Sequence, residues 1–483
     1  MLLEPMRFVH FIGNESVPAR SGESLPVIDP SSGAVFAQIA RGDAGDVDRA
    51  VASARAAFGG MWGRLSAVDR GRLLRRWADA VDAHVDELAQ LESQDTGKPL
   101  KQARADAVAL ARYFEFYAGA ADKLHGTTIP YQDGYTVLTI REPHGVTGHI
   151  VPWNYPMQIF GRSVGASLAA GNTCVVKPAE DACLSLLRVA SLAAAVGFPA
   201  GALNIVTGLG PEAGQALAEH PGIDHISFTG STETGKRVAI AAAGHHCPVT
   251  LELGGKSPQL VFADADVDAA LPVLVNAIVQ NCGQTCSAGS RVLVERPLYE
   301  PLLERLAARF AALRAGPAAM DLDLGPLVNR KQQQRVWDFL SDAQAGGIEM
   351  MAQGEIVDDA PGGGFYQAPV LLRDVPSAHR LWQEEVFGPV LALQPFDDEE
   401  EALASANGTQ YGLVAGVWTR DGARQMRLAR KLHCGQVFIN NYGAGGGVEL
   451  PFGGVKASGH GREKGFEALY AFTTLKTVAI RHG

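Results

Sequence analysis

GVTGHIVPWNYP, residues 145–156, opens the part of the chain whose rhythm decides the fold. Its first run, VTGHIV (146–151), is short and apolar and is halted by Pro152. Runs of the same kind recur at TCVV (173–176), LNIV (203–206), IDHISF (223–228) and VTLEL (249–253). Alanine-rich stretches of helical length lie between several of them, among them 184–196 and 232–243. Short apolar strands alternating with helices predict a parallel sheet covered on both faces. The alternation resumes beyond Gly255, with candidate strands at 259–262, 291–295, 390–395, 416–419 and 436–440 and helices at 267–279 and 299–313. This reads as a second α/β domain.

Upstream of residue 145 the first third reads helical. Asp43 suits the cap of a helix running through Asp46, Val47, Ala50, Val51 and Ala54. Ser66 precedes a segment with Leu73, Leu74, Trp77 and Val81 on one face, and a third helix is expected over about 101–121. YTVLTI (135–140) lies between Gly134 and the breaker Pro143-His144-Gly145 and reads as a strand. It is too isolated to build a sheet of its own and is expected to lie against another chain.

A chain of 483 residues exceeds one ordinary core, so two or three domains are expected. With 47% hydrophobic and 19% charged residues the composition is globular rather than disordered. The net charge of −10, with no stripe of Lys or Arg, argues against a nucleic-acid partner. The basic cluster at 70–76 has helical spacing and reads as a solvated face. Cys174, Cys183, Cys247, Cys282, Cys286 and Cys434 are too sparse for a disulfide framework and form no CxxC or zinc set. No metal is expected, and a reducing compartment, the cytoplasm, fits. The start, MLLEPMRFVHFIGNES, lacks the pattern of a secretory leader, and no apolar run reaches the ~18 residues of a membrane span.

Four local patterns carry chemistry. Cys286 sits in GQTCSAGS (283–290), where small neighbours leave its sulfur reachable. A thiol there is either an inert loop cysteine or a nucleophile, which requires a nearby base or a lowered pKa. Glu252, in LELGGK (251–256), is a carboxylate between leucines at a strand end. It must be ion-paired or have its pKa raised, and the second state suits a general base for water. In PWNYP (152–156) two prolines stiffen the strand exit around Asn154, whose amide serves either a turn or a developing oxyanion. FTGSTETG (228–235) follows a strand and opens a helix, the place where a pyrophosphate meets backbone N–H groups. Its Gly-x₄-Gly spacing is not the usual dinucleotide fingerprint, and neither is GLGPEAG (208–214), which reads as a strand-to-helix turn.

PWNYP, KPAE, FTGSTETG, ELGGKSP, GQTCSAGSR, EEVFGPV and PFGGVKASGHGRE occur in this order from residue 152 onward. Together they resemble the aldehyde dehydrogenase superfamily, a resemblance that runs from near the N-terminus to the end. It implies an α/β fold of two Rossmann-like parallel-sheet domains plus a small β bridging and oligomerisation element. The NAD-binding domain would be 1–122 and 144–253, the catalytic domain 254–457, and the oligomerisation element 123–143 and 458–483. Residues 473–480 would pair with the strand at 135–140 and extend a neighbour's sheet, giving a homodimer or homotetramer.

The resemblance also implies roles. Cys286 would attack an aldehyde, Asn154 and the backbone N–H of Cys286 would hold the oxyanion, and Glu252 would activate water against the thioester. The cofactor would be NAD, bound by Val151, Pro152, Trp153, Lys177, Glu180, Gly230, Ser231, Leu253, Gln332, Glu385 and Phe387. Lys177 and Glu180 would take the adenine ribose, and a carboxylate at 180 would repel the 2′-phosphate of NADP. Tyr155, Arg162, Thr285, Ser287 and Leu450 would line the substrate tunnel. A monovalent cation near Asp95, seen in some relatives, has no support in the local spacing.

Two departures from the family pattern stand out. Arg162 occupies a position where many members have Trp; succinic semialdehyde dehydrogenases have Arg there to bind the substrate's carboxylate. Either the substrate has a carboxylate or polar far end, or Arg162 pairs with a neighbouring acid. Gln280 stands where that subfamily has its second Arg. Ser163 replaces a Lys that serves a proton path to a Glu such as Glu463. A CoA-acylating relative would usually lack Glu252, and a non-catalytic relative would not need Cys286, Glu252 and Asn154 together.

Overall fold

The computed structural model describes residues 6–482. The runs beginning at Val146 form β1 (Val146–Val151), β2 (Thr173–Pro178), β3 (Leu203–Ile205), β4 (His225–Thr229) and β5 (Val249–Glu252). They lie side by side in the order β5, β4, β1, β2, β3, all parallel, with Ser227 beside His149 and Gly148 beside Val175. Antiparallel edges complete the sheet: Gly459–His460 beyond β5, then His10–Ile12 and Glu15–Val17 beyond β3. The chain adds β2 and β3 on one side of β1, then crosses to add β4 and β5 on the other. Strand order therefore reverses beside β1, and open α/β sheets take their ligands in the crevice at the carboxyl ends of such a switch.

The helix α1 (Pro156–Ala170) follows β1 with Pro156 in its first turn, where a missing N–H costs nothing. Of its 15 residues, 14 are buried, so it crosses the domain interior rather than lying on its surface. Gly161 and Gly165 allow that: a Cβ at Gly161 would stand 2.8 Å from Leu110, and one at Gly165 3.1 Å from Tyr117, both on the helix Leu100–Ala120. The expected caps are present. Asp43 accepts from the N–H groups of Gly45 and Asp46 in a capping box, and Ser66 accepts from Asp69.

Beyond Glu252 a second sheet carries β6 (Pro258–Val261), β7 (Arg291–Glu295), β8 (Val390–Phe396) and β9 (Val414–Trp418). Its order is Met350–Gln353, Val370–Leu372, β8, β7, β6, β9, Gln436–Ile439, parallel except for the Met350–Gln353 edge. The helix α3 lies between β6 and β7 and spans Val267–Val279; earlier in the chain, α2 (Thr232–Ala243) links β4 to β5. Each sheet has its own buried core, one around Leu260, Leu302 and Leu393, the other around Trp77, Phe114 and Phe160. A third sheet pairs Tyr135–Pro143 with Thr473–Arg481 in antiparallel register and with the short Thr128–Ile129.

Two expectations need correction. The first third is not purely helical, because strands Met6–Phe8, Ser24–Ile28 and Val35–Ala40 form a small sheet ahead of the first helix. These strands are short and mixed in polarity, and their partners make the pattern rather than their own sequence. The stretch 458–472 does not join the third sheet: Gly459–His460 pairs with β5, and Ala468, Leu469 and Phe472 pack into the first core. Among the described residues no helix is long and apolar enough to cross a membrane.

Candidate active site

The loop carrying the cysteine begins where α3 ends. Asn281, Cys282 and Gly283 adopt left-handed φ of 48°, 55° and 73°, two of them without glycine's freedom. The reversal lays Gly283 on the backbone of Gly388 and Pro389, leaving no room for a Cβ. Asn281 pins it: its backbone N–H donates to the Gln102 side chain (2.8 Å), and its amide donates to the Asn154 carbonyl (2.8 Å). The Asn154 amide in turn donates to the Gln284 carbonyl at 3.0 Å. Asn154, 4% exposed, is thereby fixed two residues from Cys286 by contacts 130 residues apart in sequence. The Cys286 side chain is half-buried against Leu413, Val414 and Phe452. Burial pushes its thiol up to about 11, with Glu385 and Glu252 adding to the rise and Arg162 opposing it.

Glu252 ends β5 and is fully buried, and neither of its carboxyl oxygens has a hydrogen-bond partner among the described residues. Burial, reinforced by the nearby Glu463, raises its pKa well above the carboxylate range, while Arg162, Arg462 and Lys464 pull the other way. Between the two readings left open by the sequence, the structure gives Glu252 no ion pair. Glu463 does have partners: it pairs with Arg162 and accepts from the Ser227 hydroxyl at 2.9 Å. Arg162 projects from α1, is 6% exposed and stacks on Phe452 with its guanidinium carbon 4.8 Å from the ring centre. Arg162 thus pairs with a neighbouring acid through its Nε, while its Nη2 has no hydrogen-bond partner among the described residues. Ser163 donates back to the Ile159 carbonyl within its own helix.

The expected cofactor residues gather at the carboxyl ends of β1, β2, β4 and β5. β1 runs out through Val151, Pro152 and Trp153. β2 ends at Lys177-Pro178, with the Lys177 ammonium 2.9 Å from Glu180. β4 leads through Gly230 to Ser231, which caps α2 by accepting from the Thr234 N–H (3.2 Å). Gly235, one turn on, lies so close to Leu253 that a Cβ would collide with that side chain. From the second sheet, Glu385 reaches across to accept from the Gly255 N–H (3.0 Å), and burial pushes its carboxyl up to about 7. Phe387, at a left-handed φ of 61°, meets Trp153 edge to face at 5.3 Å. The Gln332 amide nitrogen donates to the carbonyls of Val386 and Phe387 and so braces this loop. An acceptor and a cation at β2 and a helix N-terminus at β4 are groups that suit an extended dinucleotide.

The aldehyde dehydrogenase family model matches residues 17–478. The chain belongs to that family. Among curated relatives, hydroxyisobutyraldehyde dehydrogenase of Mycolicibacterium austroafricanum is 42% identical over 471 residues, 97% of this chain and 93% of that protein. A solved structure from Burkholderia cenocepacia is 75% identical with a TM-score of 0.98, covering 98% of this chain and 100% of that one. The NAD+ complex of an aldehyde dehydrogenase from Bacillus cereus is 40% identical with a TM-score of 0.96, covering 100% of this chain and 98% of that one.

In this aldehyde dehydrogenase the expected tunnel residues divide. Tyr155 and Thr285 meet, hydroxyl to hydroxyl at 2.9 Å, beside the cysteine. The Ser287 carbonyl accepts from Tyr442 (2.6 Å) on the opposite side of the loop. Leu450 is 37% exposed, near the end of a surface loop. Arg162 faces Glu463 as described above.

Residues the sequence did not single out do much of the positioning. Asn281, Gln284 and Gln102 hold the cysteine loop, and Phe452 shelters the thiol. Beneath Tyr155 lies a buried network: the Lys98 ammonium meets Glu92 (2.8 Å) and Asp106 (2.5 Å) and sits 4.5 Å from the Tyr155 ring centre. The Gln158 amide also donates to Asp106. The one local signal was Asn281-Cys282-Gly283, since Asn tolerates the left-handed region better than most residues.

Proposed function

We propose that the chain oxidises an aldehyde to a carboxylic acid with NAD, using Cys286 as nucleophile, Glu252 as general base and Asn154 as oxyanion donor. The observation that carries this reading is Glu252: a buried carboxyl with two unpartnered oxygens, on the strand end that faces the cysteine loop. A carboxyl kept unpaired in a dry site is costly as structure but suited to taking a proton from water. The Cys286 thiol loses its proton to water, and the thiolate attacks the carbonyl carbon while the Asn154 amide, on a scaffold already fixed, stabilises the oxygen. NAD, when bound, accepts the hydride that turns the thiohemiacetal into a thioester. Glu252 then takes a proton from water, whose oxygen bonds to the thioester carbon; the carbon–sulfur bond breaks and Cys286 leaves as the thiolate. Lys177 and Glu180 would hold the adenine ribose, Gly230 and Ser231 the pyrophosphate, and Glu385 and Phe387 the nicotinamide ribose. Trp153, with Val151, Pro152 and Leu253, would wall the crevice.

The third sheet supports assembly into a homodimer or homotetramer. Thr473–Arg481 is an edge strand with one unpaired side, and Ile129, Tyr131, Ile140, Leu475 and Ile480 stay exposed around it. The cytoplasm suits an enzyme that needs a free thiol, and all six cysteines are free. The three-part division of the chain into NAD-binding, catalytic and bridging elements follows the three sheets, with 458–472 moved to the first.

Rapid mixing with an aldehyde panel and NAD tests the reading. Cys286→Ala should give no NADH, and Glu252→Gln should give one NADH per subunit and then stall with acyl-enzyme detectable by mass. Steady turnover by Glu252→Gln at the wild-type rate would remove Glu252 from the mechanism.

A further inference from the structure

We propose that Arg162 is a positioning residue for thioester hydrolysis: it balances the charge of Glu463 beside the active site and so leaves the second buried acid, Glu252, able to ionise as the base. The inference rests on the reading of Glu252 just given.

Two carboxyl groups share one dry region. Glu252 lies against Gly453, where a Cβ would stand 2.7 Å from its Oε1. The next residue back, Phe452, is bridged to Glu463 by backbone hydrogen bonds of 2.7 and 2.8 Å. Exposure is 1% for Glu252 and 0% for Glu463. Like charges in such a place cannot both persist unless a cation offsets one of them.

Three cations face Glu252, and two are engaged elsewhere. Arg462 donates to the carbonyls of Gly454 (3.0 Å) and Gly461 (2.6 Å), and Lys464 donates to the Gly446 carbonyl (3.0 Å). Only Arg162 pairs with a carboxylate there, and Glu463 is its partner. The remaining titratable groups at hand are the Cys286 thiol, which Arg162 also faces, and the buried Tyr113 and Tyr117 hydroxyls on the helix Leu100–Ala120, which stay protonated through neutrality and add no charge. Because a guanidinium does not give up its proton in proteins, Arg162 acts by charge and shape, not as a relay. Ser163 adds no charge and is turned back onto its own helix. Glu463 is ion-paired and accepts from the Ser227 hydroxyl, whereas neither oxygen of Glu252 has a partner among the described residues, so the proton exchanged during hydrolysis is assigned to Glu252.

The test uses the full-length enzyme, NADH bursts and kcat from about pH 6 to about pH 10, a range wide enough to bracket the base. In Arg162→Met the burst should remain at one NADH per subunit. Its kcat near neutrality should fall about tenfold or more, and the alkaline rise in kcat should move up by about one unit or more, the size of shift that one adjacent charge produces. Arg162→Lys should fall between wild type and Arg162→Met. Arg162→Met combined with Glu463→Gln should recover most of the lost kcat, because the unbalanced charge has gone. Glu463→Gln alone, which keeps the cation, should move the profile toward acid and keeps the inference testable if Arg162→Met does not fold. Unshifted profiles in Arg162→Lys and Glu463→Gln would overturn it, as would a loss confined to KM for carboxylate-bearing aldehydes. Failure of the base assignment would show separately, as steady turnover by Glu252→Gln.

Discussion

Replacing Asn154 by alanine should separate the bond its side chain makes from the oxyanion role proposed for it. In the resting structure the amide donates to the Gln284 carbonyl at 3.0 Å in a buried setting. Losing that bond leaves the carbonyl with a longer contact from Asn281 at 3.4 Å, a cost of about 1–3 kcal/mol in stability. The Asn281 bond to residue 154 survives, because it ends on the backbone carbonyl. Loss of an oxyanion donor is a different quantity, about 3–4 kcal/mol of barrier, or 10²–10³ in rate. Single-turnover NADH formation reads the second, and urea unfolding reads the first. Asn154→Ala should therefore slow the burst by about two to three orders of magnitude while remaining folded. A burst within about threefold of wild type, alongside the expected fall in stability, would reduce Asn154 to a brace for the loop and refute its part in the chemistry.

Alkylation of Cys286 by iodoacetamide in the cofactor-free enzyme should accelerate about tenfold per pH unit across the alkaline range, because only the thiolate reacts. The thiol is raised to about 11, chiefly by burial, so it is protonated at neutrality and a plateau below about pH 9 would contradict the structure. Glu180→Gln removes the partner of Lys177 and, on the proposed function, the charge that faces the ribose. Its ratio of kcat/KM for NAD over NADP should drop by about tenfold, and an unchanged ratio would take cofactor choice away from this position. Lys98→Met leaves Glu92 and Asp106 buried without their cation and should cost about 3–5 kcal/mol in denaturant unfolding. A loss under about 1 kcal/mol would show that water replaces the ammonium.

The two parallel sheets were legible because their central strands are buried on both faces, which turns each into an apolar run such as 146–151 or 291–295. The helix Pro156–Ala170 was not, because burial on all sides erases the one-sided pattern that marks a helix. Val370–Leu372 is too short to carry a pattern at all. At the site, Cys286, Glu252 and Asn154 stood out as costly or reactive residues in confined settings. Their supports did not: the Arg162 pair with Glu463 joins residues 301 apart, and Asn281 reaches back to Gln102. No local window contains such a contact. The choice between a substrate-facing and an acid-facing Arg162 depends on where the Phe452–Glu463 hairpin lies, which only the folded chain decides.

The segment between Glu252 and Pro258 is neither helix nor strand, yet it is buried throughout and secured from three directions. Glu385 holds the Gly255 N–H, Ser458 donates to the Gly254 carbonyl and Arg291 to that of Lys256. It is also the shortest covalent route from the layer that carries Glu252 to the layer that carries Cys286. Lengthening or cutting it would therefore shift the acid at 252 relative to the sulfur at 286 while leaving the immediate neighbours of each in place.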